Sequence, residues 1–218
     1  MSLEYTIITD INNPLCGFTY DQVLQRVKQN GHALQHVEQQ TSEICLAAVK
    51  ESGLALRYVK HQTPDICLEA VKQNGNALQY VEQQTPEICL EAVQGGGDAL
   101  YYVKDQTPEL CLEAIKQSGH TLRYVTEQTL ELCLEAVKDY GHALQYVKDE
   151  YLDDVQSTLK VKPIAKHDRY ALIYQNGKYK AGCRGPWTRQ EALNHWDEHH
   201  PNQERVTLFR NAIRNNVE

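Results

Sequence analysis

Residues 63–84 read TPDICLEAVKQNGNALQYVEQQ, and the chain repeats this stretch on both sides. Residues 85–106 read TPEICLEAVQGGGDALYYVKDQ, residues 107–128 TPELCLEAIKQSGHTLRYVTEQ and residues 129–150 TLELCLEAVKDYGHALQYVKDE. Upstream, residues 41–62 read TSEICLAAVKESGLALRYVKHQ, and residues 19–40 (TYDQVLQRVKQNGHALQHVEQQ) form a more divergent copy. Six copies of 22 residues run one after another without insertion. This internal period decides the fold before any overall property of the chain does.

Each copy carries its own helix punctuation. The opening Thr suits an N-cap, because its hydroxyl accepts a hydrogen bond from an unpaired amide of the first turn. Pro64, Pro86 and Pro108 come directly after it at the first helical position, where a missing N–H costs nothing. Asp65, Glu87, Glu109 and Glu131 come next, at the positive end of the helix. An apolar set is then reached, in the third copy Ile66, Cys67, Leu68, Ala70 and Val71. Gly31, Gly53, Gly75, Gly97, Gly119 and Gly141 stand where a helix C-terminus takes a left-handed residue. A second apolar set, such as Ala77, Leu78 and Val81, then marks a shorter helix. One unit is therefore read as a helix of about 11 residues, a glycine turn and a helix of about 8. In the fourth copy Gln94-Gly95-Gly96-Gly97 predicts early fraying of the first helix and a slight bend.

A single unit is too small to bury a core, and stacking on neighbours supplies the second face. The expected fold is mainly α: an α-solenoid of six 22-residue helix-turn-helix repeats over residues 19–159, capped by residues 1–18 and by a helix at 151–159. A small α+β module, a hairpin plus two helices, is expected over residues 160–218. Within it LKVKPIAKHD reads as a linker, and Asn176-Gly177 is a two-residue turn between Tyr170–Tyr174 and Lys178–Ala181. Thr188 and Glu191 make a capping box for a helix through Trp196, and a last helix spans about 204–215 around Val206, Phe209 and Ile213.

The pattern AVxxxGxALxYV, with its Cys-Leu-Glu-Ala helix, resembles the short helical repeats of the family called domain of unknown function 4116, over residues 19–150. That resemblance supports the fold and implies no activity. The string AGCRGPWTRQEALNHW, then ERVTLFRNAI, is similar to a short tail module of assorted bacterial and phage proteins. On resemblance alone, a scaffold or an effector-like modulator is the implied context.

Two ladders run through the copies. Cys45, Cys67, Cys89, Cys111 and Cys133 read either as a metal or redox array or as the filling of one small slot. Their uniform spacing, and Val23 at the same place in the first copy, favour packing. Tyr58, Tyr80, Tyr102, Tyr124 and Tyr146 read either as an aromatic platform or as rings packed between repeats, which is favoured. Gln40, Gln62, Gln84, Gln106 and Gln128 are suited to hydrogen-bond along the stack.

Binding surfaces of repeat proteins use positions that differ between copies. One such position holds Gln35, Arg57, Gln79, Tyr101, Arg123 and Gln145; a second, four residues on, holds Gln39, His61, Gln83, Asp105, Glu127 and Asp149. From the second copy onward, Arg57, His61, Gln79, Gln83, Tyr101, Asp105, Arg123, Glu127, Gln145 and Asp149 are the candidate contacts to a protein partner. The i, i+4 spacing puts the two positions on one helix face.

The 218 residues carry a net charge of −7, which excludes a strongly basic nucleic-acid binder as the whole-chain reading. Charge is uneven: residues 1–159 sum to −12 and residues 160–218 to +5. The alternative function therefore lies in the C-terminal module, where Lys178, Lys180, Arg184, Arg189, Arg205 and Arg210 suit nucleic acid. His195 and His199, at i, i+4, are a metal alternative, although no Glu comes directly after His195 as in the zincin pattern. Cys183, His195 and Asp197 have the residue types of a nucleophile set without its spacing. No phosphate loop, paired catalytic carboxylates or nucleophile elbow is present, so the chain reads as non-enzymatic and without a cofactor. No run of apolar residues suits a membrane span, no secretory leader is read at the start, and the thiol row suits a reducing, cytoplasmic compartment.

Overall fold

The computed structural model describes residue 15 and residues 17–167, 170–175, 178–181, 184–195 and 203–215. The chain is mainly helical and divides into two compact units, Met1–Ala114 and Ile115–Glu218.

Every copy has one construction: a ten-residue α-helix, a one-residue extended joint and a six-residue 3-10 helix. The α-helices are α1 (Tyr20–Gln29), α2 (Ser42–Glu51), α3 (Pro64–Gln73), α4 (Pro86–Gly95), α5 (Pro108–Gln117) and α6 (Leu130–Asp139). The 3-10 helices are Gly31–His36, Gly53–Tyr58, Gly75–Tyr80, Gly97–Tyr102, Gly119–Tyr124 and Gly141–Tyr146. The helices start where the local chemistry predicts. Thr41, Thr63, Thr85, Thr107 and Thr129 each accept the N–H three residues on, at 3.3–3.4 Å. Thr19 forms a reciprocal capping box with Gln22.

The second helix is shorter than the expected eight residues, and it is 3-10 rather than α. Its last turn cannot continue, because the next carbonyl and amide are engaged elsewhere. In the third copy Val81 is extended (φ −73°, ψ 118°), and the Tyr80 carbonyl and Glu82 amide on either side bind the Gln62 side chain.

The repeat glycines also differ from expectation. Among the described residues only Gly17 (φ 78°) and Lys160 (φ 50°) lie in the left-handed region, so none of the six is a left-handed cap. Close approach explains Gly31, Gly53, Gly75 and Gly119 instead. A Cβ on Gly53 would stand 2.3 Å from the carbonyl oxygen of Ala70 in the next repeat, and one on Gly31 would stand 2.3 Å from that of Ala48. Real Cβ atoms do not approach a carbonyl so closely, so these sites accept only glycine.

In Met1–Ala114, α1 packs on α2, α2 on α3 and α3 on α4, while the four 3-10 helices form a second row. Val23 and Val27 of α1, the Ile, Cys, Ala and Val of α2, α3 and α4, and the Ala, Leu and Val at each 3-10 segment are buried between the rows, as in Ile66, Cys67, Ala70, Val71, Ala77, Leu78 and Val81. The glycine run of the fourth copy does not shorten α4, which keeps ten residues. It tightens the last turn: the Gly96 amide donates to Val93, three residues back, where Asn74 donates to Ala70, four back.

In Ile115–Glu218 the array ends in α7 (Asp149–Leu159), closed by Lys160 in the left-handed region. Beyond α7 the chain forms more than the expected two-strand hairpin. Strands β1 (Val161–His167), β2 (Tyr170–Gln175), β3 (Lys178–Ala181) and β4 (Arg184–Trp187) form one antiparallel sheet in the order β1-β2-β3-β4. The expected linker is therefore the edge strand β1, with a register shift between Pro163 and Ala165. Proline and lysine suggest a linker, yet both are tolerated on an edge, where no ladder partner is needed on one side. β1 packs on α7, and β2 packs on the last 3-10 helix. Helices α8 (Arg189–His195) and α9 (Gln203–Asn215) complete the unit, with Ala192, Val206, Phe209 and Ile213 buried beside Tyr174 and Leu193. The expected continuation of the helix through Trp196 lies outside the described residues.

Candidate functional site

The uniform positions form the joints between repeats. Gln62 Nε2 donates to the Tyr80 carbonyl at 2.8 Å, and its Oε1 accepts the Glu82 amide at 3.1 Å. The same two bonds recur for Gln40 with Tyr58 and Lys60, Gln84 with Tyr102 and Lys104, and Gln128 with Tyr146 and Lys148. One side-chain amide thus replaces a rung of backbone pairing. The cysteine five residues after each Gln points its thiol at that Oε1, with Sγ–O distances of 3.4 Å for Cys67 and Cys133 and 3.6–3.7 Å for Cys45, Cys89 and Cys111. A second joint comes from the glycine amides. Gly31 donates to Glu51 and Gly53 to Gln73, both at 2.6 Å, and Gly119 donates to Asp139 at 3.3 Å.

The thiols are buried, and burial pushes each of the five up from its ordinary value, Cys111 and Cys133 to about 11. At pH 8 only about one in a thousand of those two is thiolate, the nucleophilic form. Iodoacetamide at pH 8 is therefore expected to leave the ladder cysteines unmodified in the folded chain and to alkylate them after unfolding, read residue by residue by mass spectrometry. Rapid labelling of the folded chain would contradict the joint. The raised values also set the sign of the pH dependence. Unfolded thiols ionise first, so their contribution is full below about pH 9 and lost as pH rises towards about 11. Among the described residues no group of three or more His, Cys, Asp or Glu side chains could hold a metal ion.

The variable positions lie on the surface. Arg57, Gln79, Tyr101 and Arg123 are exposed on their 3-10 helices, and Gln145 is half-buried. His61, Gln83, Asp105 and Glu127 are exposed in the turns after them, and Asp149 opens α7. The i, i+4 argument does not hold, because the 3-10 helix ends before the second position: Tyr58 closes one and His61 lies beyond it. The ladder tyrosines are half-buried, and Tyr58, Tyr102 and Tyr124 are partners of the variable side chains beside them. The Arg57 guanidinium carbon lies 4.5 Å from the Tyr58 ring centre, and that of Arg123 lies 4.4 Å from the Tyr124 ring centre. Each guanidinium also donates to the hydroxyl of the same tyrosine, and the Tyr58 hydroxyl holds Arg57 above the usual guanidinium range. Tyr101, 65% exposed, meets Tyr102 edge to face at 5.1 Å. The sequence left the tyrosines as an aromatic platform or as rings packed between repeats, with packing favoured, and did not pair them with the variable side chains. The missed signal was their adjacency to Arg or Tyr at the variable position.

In the C-terminal region the basic candidates are spread over several elements. Lys178 and Lys180 lie on β3, Arg184 on β4, Arg189 on α8, and Arg205 and Arg210 on α9. His195 ends α8, whereas His199, Cys183 and Asp197 lie outside the described residues.

Identical joints and a varying exposed position define a helical-repeat protein. The chain belongs to the family described as Domain of unknown function (DUF4116), which matches residues 41–84, 63–107, 85–130 and 107–152. No significant match was found among curated proteins or among solved structures. No helix among the described residues is long and apolar enough to cross a membrane.

Proposed function

We propose that the chain is a non-enzymatic protein-interaction module. It acts as a scaffold whose repeats present one polar or aromatic side chain each on the row of 3-10 helices. The carrying observation is a division of labour within the 22-residue unit. The buried and joint-forming positions hardly change, while the surface position changes through the exposed Arg57, Gln79 and Tyr101 in one unit and the exposed Arg123 and half-buried Gln145 in the other. Arg and Tyr are also the types that dominate binding energy at protein interfaces, because a rigid planar group loses little freedom on docking. No cofactor is needed for this role.

Co-purification from the native host tests it. Proteins retained by the wild-type chain are expected to be lost, about tenfold or more, on Arg57→Glu, Tyr101→Ser or Arg123→Glu, all at exposed sites. If every partner survives all three changes, the reading fails.

A further inference from the structure

We infer that the row over Arg57, Gln79 and Tyr101 takes an extended peptide with a carboxylate about six residues from an aromatic side chain; this rests on the protein-binding reading above. Arg57 is the anchor. It is exposed, its plane is set by stacking on Tyr58, and the hydroxyl of Tyr58 accepts a hydrogen bond from it. Among the described residues Arg57 makes no ion pair with a carboxylate. A guanidinium held in place in a chain of net charge −7, and left with phenols for company, lacks a counter-ion that a partner would supply.

The next positions fix the rest of the ligand. Gln79, one repeat on, donates its Nε2 to the Asn76 carbonyl at 2.9 Å, which pins the amide and leaves Oε1 to accept a peptide N–H. Tyr101, two repeats on, is held against Tyr102 and offers an exposed ring face for an aromatic or apolar side chain. Packed helical layers lie about 8–10 Å apart, so two layers span up to about 20 Å. An extended chain rises about 3.3 Å per residue, which sets the separation at about six residues. Charge sets the direction: Asp105 belongs to the same copy as Tyr101, so the acidic end lies at Arg57 and the aromatic end at Tyr101.

The test is an NMR titration of the full-length chain, read at the Arg57 side chain and the Tyr101 ring. The probes are acetylated Gly/Ser peptides that carry one Glu and one Phe, placed two, six or ten positions apart. The six-position peptide is expected to bind about tenfold more tightly than the two-position one. Arg57→Gln is expected to abolish the preference for Glu over Gln in the peptide, and Tyr101→Ser the preference for Phe over Ala, with the melting temperature unchanged in both. Equal affinity at all three separations overturns the proposal, as does an Arg57→Gln chain that still prefers Glu. If the peptides fail while host partners are still lost on Arg57→Glu, the acidic–aromatic rule falls and the protein-binding reading stands. If neither responds, both fall.

Discussion

Replacing Gly53 with alanine is expected to destabilise the chain by about 3 kcal/mol in urea unfolding, while the same change at Gly96 is expected to stabilise it by about 0.5 kcal/mol. The two glycines differ in what surrounds them. A methyl group on Gly53 would meet the Ala70 carbonyl oxygen at 2.3 Å, Gln73 Oε1 at 3.0 Å and the Asn74 Cβ at 3.1 Å. The nearest obstacle is backbone, and that carbonyl already accepts the Asn74 amide at 2.9 Å in the last turn of α3. The repeat must therefore move away, and the move also weakens the bond from the Gly53 amide to Gln73. Overpacking of this kind costs about 1–3 kcal/mol, and the weakened hydrogen bond about 1 kcal/mol more. At Gly96 nothing lies within 4 Å of the added carbon, and φ is 168°, extended backbone that any residue adopts. There alanine only narrows the unfolded ensemble. A Gly53→Ala chain within about 0.5 kcal/mol of wild type would refute close approach as the reason for the glycine.

Gln84→Glu is expected to cost about 2–3 kcal/mol at pH 7 and much less near pH 4. The wild-type amide donates to the Tyr102 carbonyl at 2.8 Å and accepts the Lys104 amide at 3.0 Å. A carboxylate of the same shape keeps the acceptor and loses the donor, so an anion faces a carbonyl oxygen. Protonation restores a donor, which raises the folded-state value of this carboxyl above its unfolded value near 4.3. The carboxyl's contribution is therefore full below about pH 4 and lost as pH rises through the raised folded value. The difference in stability from wild type should widen from pH 4 to pH 8. Gln84→Leu gives the contrast, since it removes both bonds at every pH and its deficit should stay flat. A Gln84→Glu deficit that is also flat would show that the amide N–H does not hold the joint.

The parts of this fold that could be read from the sequence are those that act within a single turn. Threonine at the helix start and an acid in the first turn recur in all six copies, proline after the threonine in three, and the spacing seen in Ile66, Cys67, Ala70 and Val71 in five, and each has a local cause. Features that depended on a neighbouring copy were harder to see. A glycine demanded by the carbonyl of Ala70 looks the same, as a letter, as one demanded by its own φ. The glutamines were legible as stack-spanning groups, but the consequence that they cut the second helix to six residues needs the geometry of Val81 and its flanking peptides. β1 was hidden by Pro163 and its lysines, because composition does not say which strand of a sheet lies at the edge. For the candidate surface, variation between copies marked Arg57 and Tyr101 as outward-facing. The rings beside them stood one residue away in the sequence and were read mainly as packing between repeats, since regularity argued for scaffold.

The glutamine joint has a consequence for how such a chain changes length. Its partners across the joint are main-chain groups and one cysteine thiol, all in a single copy, and each amide comes from the copy before. A duplicated block of 22 codons therefore arrives carrying both halves of the fastening, and no new complementary surface has to be found by mutation. The outward residues can drift in every added block without loosening it, so growth of the array and diversification of its exposed face are separate evolutionary moves.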